Sequence, residues 1–403
     1  MNTLFLLLGL VLLGEGPTNV ETRPPAQRVD AANLLREFLQ VRTDRLGQDV
    51  ESLAADLVWS LLDASMPYLS PPLETSGKVE TEHSYYLYDL PAGYDATRPW
   101  PMMVSLHGNP PGHCERVHNK YWSGDAARLG FILVSPNLDG GRWRREDGET
   151  VLLETIGDAV TRFHVDWTRI YLSGYSAGGS GTWIYGARYA DLFAGILVRC
   201  GLPRADGRQL ANLHGRGIFV VHASEDAKCD VEQTRNAVRE MRKAGIEVVY
   251  QEFPGGHDFF PEVNEPALRY LSRYSMPKPD AFALSGSFGG RDRIVHFVGL
   301  RGGDRHRLQV RRTGDSVDID VTNPEDLDVL DVFLSPVYFA LERPLAVTVN
   351  GRAFEVVPRA SAKAFAASWP LYPFHAAGNS SRVFLSAVRV VENGKLLAEP
   401  VNY

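Results

Sequence analysis

The chain has 403 residues, 44% of them apolar and 23% charged, the balance of a soluble globular protein long enough for more than one core. A net charge of −7 leaves no basic excess to neutralise a phosphate backbone, so nucleic-acid binding is not expected. Three cysteines, Cys114, Cys200 and Cys229, are too widely spaced for a zinc site and are read first as buried thiols, with one disulfide plus a free thiol as the alternative.

In chain order, the first feature is the apolar run Leu4 to Leu13, too short to span a bilayer and of the length of a signal-peptide core. Gly14 and Gly16 supply small residues for cleavage, although the only positive charge ahead of the run is the terminal amine. Residues 1–16 are therefore expected to be a signal peptide and the protein secreted or periplasmic, a buried N-terminal helix being the alternative. No other stretch is long and apolar enough for an integral membrane span. Residues 17–28 read as a linker. Leu34, Leu35, Phe38 and Leu39, then Leu53, Leu57, Val58 and Leu61, recur at helical intervals and predict two helices interrupted near Gly47. The segment 17–75 is thus a linker followed by N-terminal helices.

From about Val79 short apolar runs alternate with helical patterns. The predicted strands lie in 83–91, 100–108, 130–137, 169–176, 194–201, 217–226 and 246–255, with helices at 151–163, 178–190 and 231–244. Buried strands separated by helices imply a mostly parallel central sheet covered on both faces, an α/β domain over residues 76–278. In such sheets ligands collect at the carboxyl ends of the strands. Beyond Asp280 the pattern becomes alternating: Val317, Ile319 and Val321 interleave with Asp318 and Asp320, and Leu345, Val347 and Val349 repeat the period. Asn350-Gly351 and Asn393-Gly394 are hairpin-turn signals. Residues 281–403 are expected to form a C-terminal all-β, sandwich-like domain.

The stretch Gly174–Gly181 is glycine-rich and stands between a predicted strand and a predicted helix. Gly174 and Gly179 have the phosphate-loop spacing, but the lysine that must follow is replaced by Ser180; Ile184 spoils the dinucleotide fingerprint. Gly174-Tyr175-Ser176-Ala177-Gly178 instead matches the nucleophile elbow, in which a serine sits on a strained strand-to-helix turn flanked by small residues. A serine hydroxyl needs a base to take its proton and an acid to orient that base. With such an elbow the acid and base follow in the order Asp/Glu, then His. Asp226 ends the run FVVHASED, and His257 follows a glycine pair after the last strand, so these are the candidate acid and base. Glu225 and Asp230 are fallbacks for the acid. Asp258 is expected to cap a turn, and His222, inside an apolar strand, to be a satisfied core histidine or a support for the acid. The expected oxyanion donors are the backbone N–H groups of Ala177 and of Asn109, with Gly108 the alternative, since Pro110 and Pro111 have none.

Two clusters raise metal binding. His113, Cys114 and His118 have no accompanying carboxylate–histidine set and read as a loop over the site. Asp315, Asp318 and Asp320 suggest calcium, but alternation puts the last two on a solvated strand face. No metal or organic cofactor is expected. Asn379-Ser380-Ser381 is a glycosylation sequon, meaningful only on a eukaryotic secretory route.

On the segments SLHGNPPG (105–112), YLSGYSAGGSGTWIYGARYADLFAG (171–195), HASEDAKCDVEQTRNAVREMRKAG (222–245) and FPGGHDFF (253–260), the sequence resembles α/β-hydrolases of the esterase/peptidase branch. That branch includes poly(3-hydroxybutyrate)-depolymerase-like and feruloyl-esterase-like enzymes and peptidases related to the prolyl oligopeptidase catalytic domain. The resemblance covers about half the chain and implies Ser176, Asp226 and His257 as nucleophile, acid and base of a serine hydrolase. It implies a small-molecule or polymer-linked ester as substrate, with a peptide as the alternative. A non-catalytic binding or surface protein on the same scaffold is a third reading. The C-terminal region is similar to β domains that follow such hydrolases in some bacterial secreted proteins, where it would contact substrate or a surface. The prolines of HGNPPG depart from the family pattern at the oxyanion turn.

Overall fold

A computed structural model describes residues 74–276 and 281–400, except 97, 110–112, 123, 140–142, 191, 206, 289–292, 296–297, 302–305, 335–342, 359–385 and 394. The expected signal peptide, linker and N-terminal helices, and the sequon at Asn379, lie outside the described residues.

Residues 76–253 build one eight-stranded sheet: β1 (Ser76–Glu80), β2 (Tyr85–Asp89), β3 (Trp100–Leu106), β4 (Ile132–Pro136), β5 (Val165–Tyr175), β6 (Gly195–Arg199), β7 (Gly217–Ala223) and β8 (Val249–Phe253). Its order is β1-β2-β4-β3-β5-β6-β7-β8. β1 and β2 run antiparallel at one edge, β2 is antiparallel to β4, and every pair from β4–β3 through β7–β8 is parallel. This is the mostly parallel sheet of an α/β domain that the alternating pattern implied. The sequence reads differently in the two regions because burial differs. Every residue of β3, β4, β6 and β7 is buried, as befits strands covered on both faces. β1, at the edge, exposes every second residue.

The covering helices are α1 (Glu146–Arg162), α2 (Ala177–Arg188), α3 (Val231–Lys243) and α4 (Asn264–Leu271). α1 starts five residues ahead of its apolar pattern, because its first turn is polar and carries Gly148. α3 begins where a capping residue places it: the Asp230 carboxylate accepts the Glu232 N–H at 3.0 Å. α4 was not foreseen; Pro266 in its first turn reads as a breaker, yet a proline there forfeits no helical hydrogen bond. Ala267, Leu268 and Leu271 bury its inner face.

From residue 281 onward the described strands form two five-stranded sheets. One is β10 (Arg293–Val295), β11 (Val298–Arg301), β14 (Val329–Leu334), β17 (Ser386–Glu392) and β18 (Lys395–Pro400) in that order. The other runs β16 (Arg352–Val356), β15 (Leu345–Val349), β13 (Ser316–Val321), β12 (His306–Thr313) and β9 (Ala281–Phe288). Val317, Ile319 and Val321 are buried while Asp318 and Asp320 are exposed, as the alternation required. Both expected hairpins form. β15 and β16 pair around Asn350 (φ 48°) and Gly351 (φ 79°), the two left-handed positions of a tight hairpin turn. β17 and β18 pair with Glu392 opposite Lys395. β13 and β15 are parallel, and Asn350 clamps them: its side chain accepts from the Val321 N–H at 2.8 Å and donates to the Val321 carbonyl at 3.0 Å.

Candidate active site

β5 is flanked by β3 and β6, and its last residue, Tyr175, passes directly into Ser176 and then α2. Ser176 has φ 59° and ψ −116°, a conformation that costs a non-glycine residue energy and persists only where packing enforces it. The enforcement is visible. A Cβ on Gly174 would lie 2.2 Å from the Gly178 carbonyl oxygen, and one on Gly178 would lie 2.1 Å from the Leu106 carbonyl oxygen. Glycine two residues either side of Ser176 is therefore a packing requirement. The Ser176 N–H donates to the Arg199 carbonyl at 2.9 Å, and its own carbonyl accepts from Ser180 N–H at 3.0 Å to open the helix.

Asp226 stands three residues beyond β7. Its Oδ1 accepts the N–H groups of Lys228 and Cys229, each at 2.8 Å, and its Oδ2 faces His257 Nδ1 at 2.7 Å. Both side chains are almost wholly buried, at 0% and 6% exposure. Burial pushes the Asp226 carboxyl up, but the hydrogen bonds from His257 and the Cys229 and Lys228 amides outweigh it and hold the group below the usual range. A carboxylate only accepts, so His257 carries its proton on Nδ1 and keeps the Nε2 lone pair free for a proton. His222 packs beside Asp226. Its Nε2 lies 2.9 Å from the Cys229 carbonyl and 3.4 Å from Asp226 Oδ2, while Nδ1 meets Thr234 Oγ1 at 3.0 Å. Burial lowers the His222 pKa, which keeps this supporting imidazole neutral.

The His257 loop is fastened to the elbow. The Tyr175 hydroxyl donates to the His257 carbonyl at 3.4 Å, and the two rings lie 5.1 Å apart. Phe259 stacks on Tyr121 with ring centroids 4.8 Å apart and sits 4.2 Å from the Arg199 guanidinium. Arg199 is fully buried, donating to Ser173 Oγ at 2.8 Å and to Asn264 Oδ1 at 2.5 Å, and burial pushes its pKa down to about 9.

Ala177 is the first residue of α2, so its N–H has no partner within the helix and sits at the positive end of the helix dipole. The turn carrying Gly108 and Asn109 lies against Ser176: a Cβ on Gly108 would lie 3.0 Å from Ser176 Cβ. Asn109 is exposed beside it. His107 holds that turn. The Leu138 N–H donates to His107 Nε2 at 3.0 Å, which leaves the ring proton on Nδ1, and Nδ1 donates to the Gly108 carbonyl at 2.6 Å. Trp143 Nε1 donates to the His107 carbonyl at 2.7 Å. Neither His107 nor Arg199 was singled out from the sequence; the histidine preceding the glycine turn was the available signal for the first, and an arginine in an otherwise apolar strand for the second.

The remaining candidates separate cleanly. Asp230 caps α3, and the Asp258 carboxylate accepts the Phe259 N–H at 2.7 Å within its own turn. Cys114 Sγ donates to the Ser135 carbonyl at 3.3 Å and His118 Nδ1 meets Ser135 Oγ at 2.8 Å, while His113 lies elsewhere, against Tyr175. All three cysteines are free and buried. Among the described residues, three groups bring potential metal ligands within 4.8 Å: Cys200, His222 and Asp226; Asp226, Cys229 and His257; and exposed Glu82, His83 and Glu154. In the first two, Asp226 and the histidines are already engaged in the hydrogen bonds just described. The Asp318 and Asp320 pair belongs to none of the three.

No protein-family model matches the chain. Over 146 residues it is 27% identical to the bifunctional acetylxylan esterase/xylanase XynS20E of Neocallimastix patriciarum, a match covering 35% of this chain and 22% of that protein. Over 132 residues it is 29% identical to poly(3-hydroxyalkanoate) depolymerase C of Paucimonas lemoignei, covering 28% and 30%. The chain thus spans less than a third of the length of either relative. Among solved structures, a thermostable esterase superposes with a TM-score of 0.44 at 21% identity, covering 50% of this chain and 62% of that one. A ferulic acid esterase superposes with a TM-score of 0.42 at 19% identity, covering 49% and 96%. Among the described residues no helix is long and apolar enough to cross a membrane.

Proposed function

We propose that the chain is an exported serine hydrolase that cleaves carboxylic esters through an acyl-enzyme intermediate. One observation carries the reading. A serine held at φ 59° between strand and helix stands next to the tyrosine that fastens the His257 loop, and His257 Nδ1 lies 2.7 Å from a buried carboxylate. In the reaction His257 Nε2 takes the Ser176 proton as Oγ attacks the ester carbonyl carbon. The negative charge that develops on the carbonyl oxygen is met by the amides of Ala177 and Asn109. As the tetrahedral intermediate collapses, the carbon–oxygen bond to the leaving group breaks and His257 gives its proton to the departing alcohol. Water repeats the sequence and releases the acid. Asp226 orients the imidazole and stabilises its cation throughout.

The two curated relatives are named for ester cleavage on acetylxylan and on a polyhydroxyalkanoate, which favours a polymer-linked ester as substrate. In this reading residues 76–278 are the catalytic domain, and the β sheets beyond 281 are a separate domain available to contact substrate or a surface. The test is a fluorophosphonate label together with p-nitrophenyl acyl esters, comparing the wild type with Ser176→Ala. Labelling and turnover are expected in the wild type and lost in the variant. An unlabelled wild type, or equal turnover by both, refutes the hydrolase. A panel of acetylated polysaccharide, polyhydroxyalkanoate and peptide substrates then identifies the acyl carrier.

A further inference from the structure

Asp226, Cys229 and His257 each bring one potential ligand atom within 4.8 Å of the other two, and the sulfur has no part in the reaction proposed above. Among the described residues the Cys229 thiol makes no hydrogen bond. Cys229 is 8% exposed and stands between exposed Lys228 and Asp230. His257 makes one ring hydrogen bond, from Nδ1 to Asp226 Oδ2 at 2.7 Å, while Oδ1 is held separately by the Lys228 and Cys229 amides. An ion bound to Oδ2, Nδ1 and the sulfur therefore displaces that hydrogen bond and leaves the amide pair in place. The neighbouring cluster of Cys200, His222 and Asp226 lacks this freedom. Both His222 nitrogens and the Cys200 thiol are already hydrogen-bonded.

A carboxylate, an imidazole and a thiolate suit a zinc-like ion, whereas calcium and magnesium take oxygen ligands. Zinc bonds of about 2.0–2.3 Å in a tetrahedron set ligand atoms about 3.5 Å apart. The 2.7 Å pair must open by about 0.8 Å, and the sulfur, at most 4.8 Å from its partners, must close by no more than about 1.3 Å. His257 is free to follow, because Gly255 (φ 104°) and Gly256 before it have open space where a side chain would stand. The nearby charges of Lys228 and Arg204 oppose a cation. Both residues are exposed, however, and the carboxylate and bound thiolate set two negative charges directly on the ion.

We infer that Asp226 Oδ2, Cys229 Sγ and His257 Nδ1 form an inhibitory site for a zinc-like divalent cation, with water as the fourth ligand. On binding, the Cys229 thiol gives its proton to water, and the imidazole stays neutral by carrying its proton on Nε2 instead of Nδ1. No electron is transferred. The nitrogen that accepts from Ser176 in the proposed reaction has then become a donor. The loss of turnover rests on that reaction, whereas the binding of the ion does not.

The experiment uses the full chain with zinc chloride as probe, and reads p-nitrophenyl acetate hydrolysis against each variant's own zinc-free rate. Cobalt chloride gives a second readout, the thiolate-to-cobalt absorption band in the near ultraviolet. The wild type is expected to bind one ion per chain, to lose turnover as it binds and to regain it with EDTA. Cys229→Ala should raise the half-inhibiting zinc concentration at least about 100-fold, the upper range for residues that only support a ligand, and should abolish the band. Cys229→Ser, which should also lose the band, decides if the alanine variant gives no cooperative melt. Cys200→Ala, which alters the other thiol beside Asp226, should keep both the inhibition and the band. Undiminished zinc inhibition or a surviving band in the Cys229 variants overturns the inference, as does loss of both in Cys200→Ala. A wild type with neither band nor zinc inhibition overturns it too. Turnover that is zinc-insensitive yet lost in Ser176→Ala removes the site and leaves the hydrolase. A wild type without turnover whose cobalt band disappears in Cys229→Ala removes the hydrolase and supports the site.

Discussion

Replacing Asp226 by Asn changes two oxygens into one oxygen and one nitrogen, and the surroundings dictate which goes where. Two amides, from Lys228 and Cys229, point at Oδ1 from 2.8 Å, so the new carbonyl oxygen stays there. The new NH2 then faces His257 Nδ1 across 2.7 Å and His222 Nε2 across 3.4 Å. His257 escapes a donor–donor clash only by moving its proton to Nε2, the nitrogen that accepts from Ser176 in the proposed reaction. The expected loss is about 10⁴-fold in kcat, roughly 5 kcal/mol of transition-state stabilisation. His222 has no such escape while its Nε2–H serves the Cys229 carbonyl, so stability should also fall, by about 1–3 kcal/mol. A pH series adds a sign. Because the folded-state pKa of Asp226 is depressed, its contribution is present above the unfolded value near 4 and disappears as pH falls through the lower folded value. As pH falls below about 4 the stability gap between variant and wild type should therefore narrow. The assays are p-nitrophenyl acetate hydrolysis at pH 7 and thermal melts between pH 3 and 8. A variant within tenfold of wild-type kcat, or one that melts at the wild-type temperature at pH 7, refutes the reasoning.

Two other outcomes follow from the packing. Phe259→Ala should cost about 3–5 kcal/mol, because the ring is 1% exposed among Tyr121, Tyr175, Trp122 and Arg199; at about 2–4 °C per kcal/mol the melting point drops by roughly 10 °C. Its kcat should fall as well, since the ring anchors the loop two residues from His257, and Phe259→Leu should recover part of both; an unchanged melt contradicts the anchoring. The three thiols should be inert to iodoacetamide at pH 8 until the protein is unfolded, as burial pushes Cys200 up to about 12 and Cys229 to about 11. A thiol alkylated at the rate of a free cysteine in the native protein would contradict that.

The elbow was legible because all its determinants are local: the glycine spacing, the apolar strand before it and the helix after it. Asp226 and His257 were legible through chain order and their place after strands, and the alternation of 317–321 exposed the β region in the same way. The rest depends on partners far along the chain. Arg199 sits in the apolar run ILVRC, and nothing near it reveals that its partners are Ser173 and Asn264, the latter 65 residues on. His113 was grouped with Cys114 and His118 by proximity in sequence, but the fold turns it away from them and toward Tyr175. β1 escaped notice because an edge strand with alternate residues exposed reads like a polar loop. Hairpin signals identify consecutive neighbours only, so the parallel β13–β15 pair had no local trace.

Arg199 gives the site an unusual mechanical property. Its carbonyl holds the Ser176 amide, and its guanidinium lies on Phe259 and reaches Asn264 at the start of α4. Ser176 and the His257 loop are thus hung from opposite ends of one residue at the carboxyl end of β6. A small displacement of β6 carries both in the same direction, so the gap between them changes less than either position does. On heating, turnover should therefore persist up to the temperature at which the sheet itself gives way, rather than fading ahead of it as loosely held loops drift apart.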